Sequence, residues 1–168
     1  AEKRVSKRNR RLNPFRKRQL SENARVLITE VIIEGTRDHP EKEKLDLAAY
    51  DAMNVRPGSR SSREEIKRDL NAIYATGFFS SVRIEPVDAP LGVQLVVKVV
   101  PNPVLTRIEI DPENGKVPQR VLRKIFRSDF GRTLNLNDLQ LRIKELKAWY
   151  LKKGYSLARI TGPSRVTS

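Results

Sequence analysis

The sequence has no cysteine and only one histidine, one methionine and one tryptophan among its 168 residues. Without cysteine there can be no disulfides and no thiolate nucleophiles or metal ligands, and the redox compartment cannot be read from the chain. The lone His39 stands beside Pro40 in a charged stretch. A metal site built on it would need three carboxylate partners, so it reads as a solvated loop residue and no metal is expected. Long apolar runs are also missing. Apolar runs such as Leu95 to Val97 and Val99 to Val100 are short, against the ~20 residues that a membrane-spanning helix needs. The N-terminus has a basic run without the apolar core of a signal peptide, and a mature or trimmed fragment is the expectation. There is no nucleophile elbow, no phosphate-binding glycine loop, and no histidine paired with cysteine or serine. The expectation is a chain that is not an enzyme and needs no cofactor.

What the sequence does have is positive charge, unevenly placed. The net charge is +14. Ala1 to Arg25 contains 10 basic and 2 acidic residues, Val26 to Pro101 contains 10 and 12, and Asn102 to Ser168 contains 14 and 6. Both ends can therefore be drawn to polyanions. The first 25 residues hold few apolar anchors and cannot bury enough surface to offset the entropy of ordering. They read as a flexible basic arm, with room for a short helix before Ser21.

Beyond the arm the pattern changes. Val26, Leu27, Ile28, Val31, Ile32 and Ile33, closed by Gly35, predict a buried strand. Thr36 to Lys44, with Pro40, predicts a loop, and Leu45 to Met53 a short helix stopped by Arg56-Pro57-Gly58-Ser59. The next helix is the clearest: Ser61 or Ser62 can cap it, Glu64 and Glu65 suit the positive end of its dipole, and Ile66, Leu70, Ile73 and Tyr74 keep helical spacing. Gly77 ends it. Val82 and Ile84 alternate with Arg83 and Glu85 as a half-buried strand should. After a turn at Ala89 to Gly92, the nearly continuous apolar run Val93 to Val100 suits a central strand covered on both sides or nearly so. Pro101-Asn102-Pro103 then interrupts the pattern, since such prolines cannot lie inside a sheet. It marks the boundary between a first module, 26–101, and a second, 102–168.

The second stretch restarts the plan. Leu105 to Asp111 predicts a strand, Val117 to Phe126 a short helix, and Asn137 caps a longer helix whose Leu139, Ile143, Leu146 and Tyr150 face inward. Gly154 ends that helix, Tyr155 follows, and Leu157 to Thr161 begins a strand. Thr29 and Thr106, Ile66 and Ile143, and Gly77 and Gly154 are each 77 residues apart. One offset thus registers a strand, a helix and a helix stop, the mark of an internal repeat. Carried further, it puts the counterpart of the run 93–100 at 170–177, past Ser168, so the second module is expected to lack its last strand.

These residues resemble a known family. Glu34-Gly35 after a β-branched strand, the helix running into Ala75-Thr76-Gly77-Phe78-Phe79, the hairpin ending in Val97-Lys98-Val99-Val100, and the proline junction look like a polypeptide-transport-associated (POTRA) domain. The second unit looks similar through Lys147 to Tyr155, with Gly131 to Leu136 before it, and is closest to the cyanobacterial and chloroplast-envelope branch of the outer-membrane assembly family. The resemblance covers roughly Val26 to Pro163. It implies an α+β fold of two tandem βααββ modules, each a three-stranded mixed sheet covered on one face by two helices, with the last strand in the middle. It also implies a location on the periplasmic side of an outer membrane, or at a chloroplast envelope, and partners that are unfolded outer-membrane proteins, precursor polypeptides, or a further module and β-barrel of the same polypeptide.

An exposed strand edge can accept an extended segment through main-chain hydrogen bonds. The candidate client-binding edges are Ser81, Val82, Arg83, Ile84 and Glu85, and Leu157, Ala158, Arg159, Ile160 and Thr161. The residues Pro101, Asn102 and Pro103 form the interdomain hinge, expected to be stiff because each proline restricts φ. In the arm, Arg8, Arg10, Arg11, Arg16, Lys17 and Arg18 are candidates for contact with an anionic lipid or other polyanionic surface. The alternative is RNA binding by KH-like modules, which share the element order. It is disfavoured because the loops between the helices, Arg56 to Arg60 and Phe130 to Leu134, have one glycine each where a KH module needs GXXG.

Overall fold

The computed structural model of the chain describes residues 24–110 and 117–154. Six elements make the first module: β1 (Arg25–Glu34), α1 (Lys42–Ala52), β2 (Arg60–Ser62), α2 (Arg63–Ala75), β3 (Phe79–Ala89) and β4 (Gly92–Pro101). The sheet order is β2-β1-β4-β3, with β4 parallel to β1 and antiparallel to β3. The α+β class and the mixed sheet with its last strand inserted in the middle are therefore present. The short β2 is an addition: it pairs antiparallel with the start of β1, with Arg25 opposite Ser62 and Leu27 opposite Arg60. Three residues show no alternation to read, and Ser61-Ser62 already carried a capping signal. Ser62 serves both roles, its Oγ accepting from the Glu65 N–H at 3.2 Å. Arg25, assigned to the arm from sequence, is the first residue of β1 and ion-pairs with Glu65.

The core lies between the sheet and the two helices. Ile28, Leu45, Ala49, Ile73, Val93, Leu95 and Val97 have no exposed surface, and Phe79 joins them. Alternation puts Val93, Leu95, Val97 and Val99 on the helix side of β4. Val96 points the other way, yet is only 9 % exposed, because it stands in register between Ile32 and Glu85. The apolar run of β4 thus reflects one helix-covered face and one face closed by neighbouring side chains. Truncating a fully buried Leu or Ile of this core is worth about 2–5 kcal/mol.

Two helical details differ from the sequence reading. α1 begins at Lys42, inside the stretch expected to be loop, and buries Leu45 and Ala49. In α2, Ile73 is buried but Tyr74, the last residue of the expected helical spacing, is exposed. Asp69 of α2 is 1 % exposed, and its carboxylate accepts from the Asn54 and Val55 N–H groups at 2.9 Å each. It thereby ties the end of α1 to α2.

In the second module α3 (Gln119–Ile125) and α4 (Leu136–Lys152) pack through Leu122, Phe126, Leu146 and Tyr150. The strand expected at Leu105 to Asp111 is not formed over residues 105–110. A strand needs a hydrogen-bonded neighbour, which β1 finds in β4, and no strand pairs with 105–110 among the described residues. Leu105 bonds instead to the loop before α4, its N–H donating to Arg132 O and its carbonyl accepting from Gly131 N–H, both at 2.8 Å. The cap of α4 is Asn135, not Asn137: its Oδ1 accepts from the N–H groups of Asn137 at 2.9 Å and Asp138 at 3.2 Å. Gly77 and Gly154 occupy like settings, each just after a helix with φ of +85° and +89°. Tyr155, the strand beginning at Leu157, and the arm residues Arg8 to Arg18 lie outside the described residues.

Candidate functional site

β3 is an edge strand, paired only with β4 among the described residues. In its expected segment Ser81 to Glu85, Val82 is buried in the core, Arg83 is exposed, and Ser81, Ile84 and Glu85 are half-buried. Glu85 receives Lys98 at 2.9 Å and Arg83 at 3.6 Å. The hydrogen bond from Lys98, only partly opposed by desolvation, holds its carboxyl below the usual range. Pro86 follows at mid-strand, a residue that a sheet tolerates on an edge.

A second constellation joins the two modules, and most of it was missed from sequence. Helix α2 ends with no basic residue in its last turn, so its terminal carbonyls need other partners. The second module supplies them. Asn137 Nδ2 donates to Ala75 O at 2.8 Å, and Asn135 Nδ2 donates to Thr76 O at 2.8 Å. Gly77 O accepts from the Leu136 N–H at 2.9 Å and from Asn102 Nδ2 at 3.1 Å. The negative end of the α2 dipole thus faces the positive end of α4, with Asn135 capping α4 through its oxygen and α2 through its nitrogen.

The junction residues are built into this clamp. Pro101 is the last residue of β4, opposite Phe79, beyond the point where β1 stops alongside, so its missing N–H costs no ladder bond to β1. Asn102 is 6 % exposed. Its N–H donates to Phe78 O at 2.8 Å, and its Nδ2 bridges Gly77 O and Leu134 O. Pro103 O accepts from the Leu134 N–H at 2.8 Å. Polar contacts, as well as restricted proline dihedrals, hold this link.

His39 and Glu41, read as solvated loop, belong to the same clamp. His39 Nε2 lies 2.9 Å from Asn102 O and must donate to it, while Nδ1 accepts from the Glu41 N–H at 3.0 Å. Both ring nitrogens are thus used within the protein, and no metal-type cluster exists among the described residues. Glu41 reaches across to the second module, its Oε1 accepting from the Thr133 N–H at 2.5 Å and the Thr133 hydroxyl at 2.8 Å. Burial pushes the Glu41 carboxyl up, but the Thr133 hydrogen bonds and the charge of Lys44 outweigh it and hold the pKa below 4.5. The sequence signal that could have revealed the clamp is Asn135-Leu136-Asn137, two asparagines flanking a helix start.

The loop between α1 and α2 is closed on itself. The Arg56 guanidinium donates to Tyr50 O at 3.3 Å and Val55 O at 3.0 Å and lies over the Tyr50 ring, and the Gly58 N–H donates to Ile28 O. These groups do not face outward as a phosphate-cradling loop requires.

A mixed sheet with its last strand inserted centrally and two helices on one face, followed by a second unit in the same register, defines a tandem of POTRA modules. Residues 26–102 match the family described as "Surface antigen variable number repeat", and residues 104–166 match the "POTRA domain, ShlB-type". Among solved structures, the chain is 39 % identical to POTRA1-2 of the periplasmic domain of Omp85 from Anabaena, covering 86 % of this chain and 90 % of that one with a TM-score of 0.69. It is 38 % identical to the N-terminal domain of Omp85 from Thermosynechococcus elongatus, covering 86 % and 59 % with a TM-score of 0.75. It is also 31 % identical over 140 residues to the chloroplastic outer envelope protein 80 of Arabidopsis thaliana. The chain belongs to the POTRA domains of the Omp85 type, in their cyanobacterial and chloroplast branch. That match covers 80 % of this chain but only 19 % of the Arabidopsis relative. The expected location, on the periplasmic side of an outer membrane or the matching side of a chloroplast envelope, agrees with the locations these relatives' names carry.

Proposed function

We propose that this chain is a non-catalytic receiving region of an outer-membrane assembly or translocation pore, and that it takes extended segments of unfolded β-barrel clients, precursor polypeptides or partner subunits along β3. The observation that carries the reading is the edge of β3 at Ser81 to Glu85, which no other strand covers among the described residues. Main-chain hydrogen bonds there give affinity tolerant of sequence, which suits clients that share little beyond β-structure. The same role is proposed for Leu157 to Thr161. Arg8, Arg10, Arg11, Arg16, Lys17 and Arg18 are proposed to contact an anionic surface, and a further module and β-barrel of the same polypeptide are proposed as covalent neighbours. The closed Arg56 loop weighs against the RNA-binding alternative.

The test uses a labelled peptide corresponding to a membrane strand of an outer-membrane barrel. Binding should perturb the backbone amides of Ser81 to Glu85 in the NMR spectrum, and Arg83→Pro should weaken it at least tenfold. Chemical-shift changes confined to the helices, or full affinity in the Arg83→Pro protein with its fold intact, would exclude strand addition at this edge.

A further inference from the structure

The helices of the two modules have the same place in the fold but not the same charge. α1 and α2 together carry 5 basic and 6 acidic residues, whereas α3 and α4 carry 7 basic and 2 acidic. Both acidic residues of the second pair are already engaged or placed. Asp138 lies in the first turn of α4, where the helix dipole favours it, and Glu145 shares the Arg142 guanidinium with Asp129. The remaining cations are exposed and make no ion pair among the described residues. Arg120, Arg123 and Lys124 do so from α3 and Lys144, Lys147 and Lys152 from α4.

The α4 surface adds a second feature. Leu141, Lys144, Ala148 and Leu151 are spaced i, i+3, i+7 and i+10, which places them on one stripe, on the side away from buried Leu146 and Tyr150. Leu141 is 53 % exposed and Leu151 62 %. Leu141 and Leu151 put apolar surface on the same stripe as the lysines, a combination that matches an occupant offering both anionic charge and an apolar layer.

We propose that the outer faces of α3 and α4 dock on an anionic membrane surface, the lysines and arginines meeting lipid phosphates while Leu141 and Leu151 enter the headgroup boundary. A nucleic acid supplies the charge but not the apolar layer, and the stripe has no aromatic residue on which a base could stack. The location of this family beside an outer membrane puts such a surface within reach. The inference is independent of strand addition at β3, which lies in the other module.

The test is co-sedimentation of the whole chain with vesicles of phosphatidylcholine alone and of phosphatidylcholine containing phosphatidylglycerol. To separate the face from the N-terminal arm, each variant is also made with Arg8, Arg10, Arg11, Arg16, Lys17 and Arg18 changed to Gln. The expected result is binding to the anionic vesicles only. Lys144→Gln, Lys147→Gln and Lys152→Gln together should reduce it roughly a hundredfold at low salt, about fivefold per cation, in both arm backgrounds. Leu141→Ser with Leu151→Ser should weaken it further, and the corresponding Lys→Arg triple should bind like the parent. Trp149 emission and circular dichroism show that each variant is folded. The proposal is overturned if the triple Gln protein binds as the parent does, if binding disappears with the arm alone, or if the leucine pair is silent while an RNA oligonucleotide displaces the vesicles.

Discussion

Asn135 carries the sharpest consequence of the clamp, because one side chain serves two helices. Its oxygen caps α4 and its nitrogen caps the end of α2 in the other module. Losing an N-cap costs about 1 kcal/mol, and losing the hydrogen bond to Thr76 O costs about 1 kcal/mol more, so Asn135→Ala should destabilise the second module by about 2 kcal/mol. Asn135→Ser keeps an oxygen for the cap and should lose only the second part. Asn135→Asp is the discriminating variant. Aspartate is as good an N-cap as asparagine and better suited to a helix dipole, so α4 alone would not object to it. In the clamp it sets a carboxylate against a carbonyl at the negative end of α2, and it should cost at least as much as Ser. The assay is urea unfolding followed by the emission of Trp149, the one tryptophan of the sequence, which packs against the second core. A neutral or stabilising Asn135→Asp, or residual dipolar couplings showing unchanged module orientation in Asn135→Ala at full stability, would refute the bridge.

Three further outcomes follow from the same contacts. Gly77 and Gly154 both have positive φ, but an added Cβ at Gly77 would lie 2.6 Å from Asn135 Oδ1 while one at Gly154 would meet nothing within 4 Å. Gly154→Ala should therefore cost the backbone strain alone, about 1 kcal/mol, and Gly77→Ala clearly more, with loss of the clamp detected as freer module orientation. Asp69→Ala leaves the Asn54 and Val55 N–H groups buried without an acceptor and should cost about 3 kcal/mol in thermal or denaturant unfolding of the first module. Glu41 has a lowered folded pKa, so its contribution is complete above the unfolded value near 4.5 and is lost as pH falls through the lower folded value. Acid titration of the Trp149 transition should show this loss in the parent, and Glu41→Gln should remove that component of the pH dependence.

The parts of the structure legible from sequence are those set by local pattern. Ile66, Leu70 and Ile73 announce α2, the alternation Val82, Arg83, Ile84, Glu85 announces β3, and the 77-residue offset aligns two helix stops that indeed share a backbone conformation. What was not legible depends on partners distant in the chain. β2 is a strand only because Leu27 and Val26 lie beside it. Residues 105–110 carry a strand-like pattern but pair with no strand among the described residues, Leu105 bonding instead to the loop at Gly131 and Arg132. His39 and Glu41 read as solvated because their partners, Asn102 and Thr133, are 63 and 92 residues away. Asparagine at a helix start reports a cap, but nothing in one sequence says that its other end reaches a second module.

The clamp and the open edge are adjacent in the chain, and this gives the tandem a mechanical logic. Gly77, whose carbonyl is held by Asn102 and Leu136, stands two residues before Phe79, where β3 begins, a separation of at most about 7 Å. Phe78 in between has its carbonyl bonded to Asn102, and Phe79 is locked in the core. The beginning of the edge is therefore fixed relative to the second module, while the backbone from Ser81 onward departs from it along the side of the sheet. A segment added to β3 would be oriented by the same residues that set the angle between modules. If β3 accepts a segment as proposed, contacts that hold the junction would present the edge in one direction, and the caps lie at the end of α2 rather than along β3.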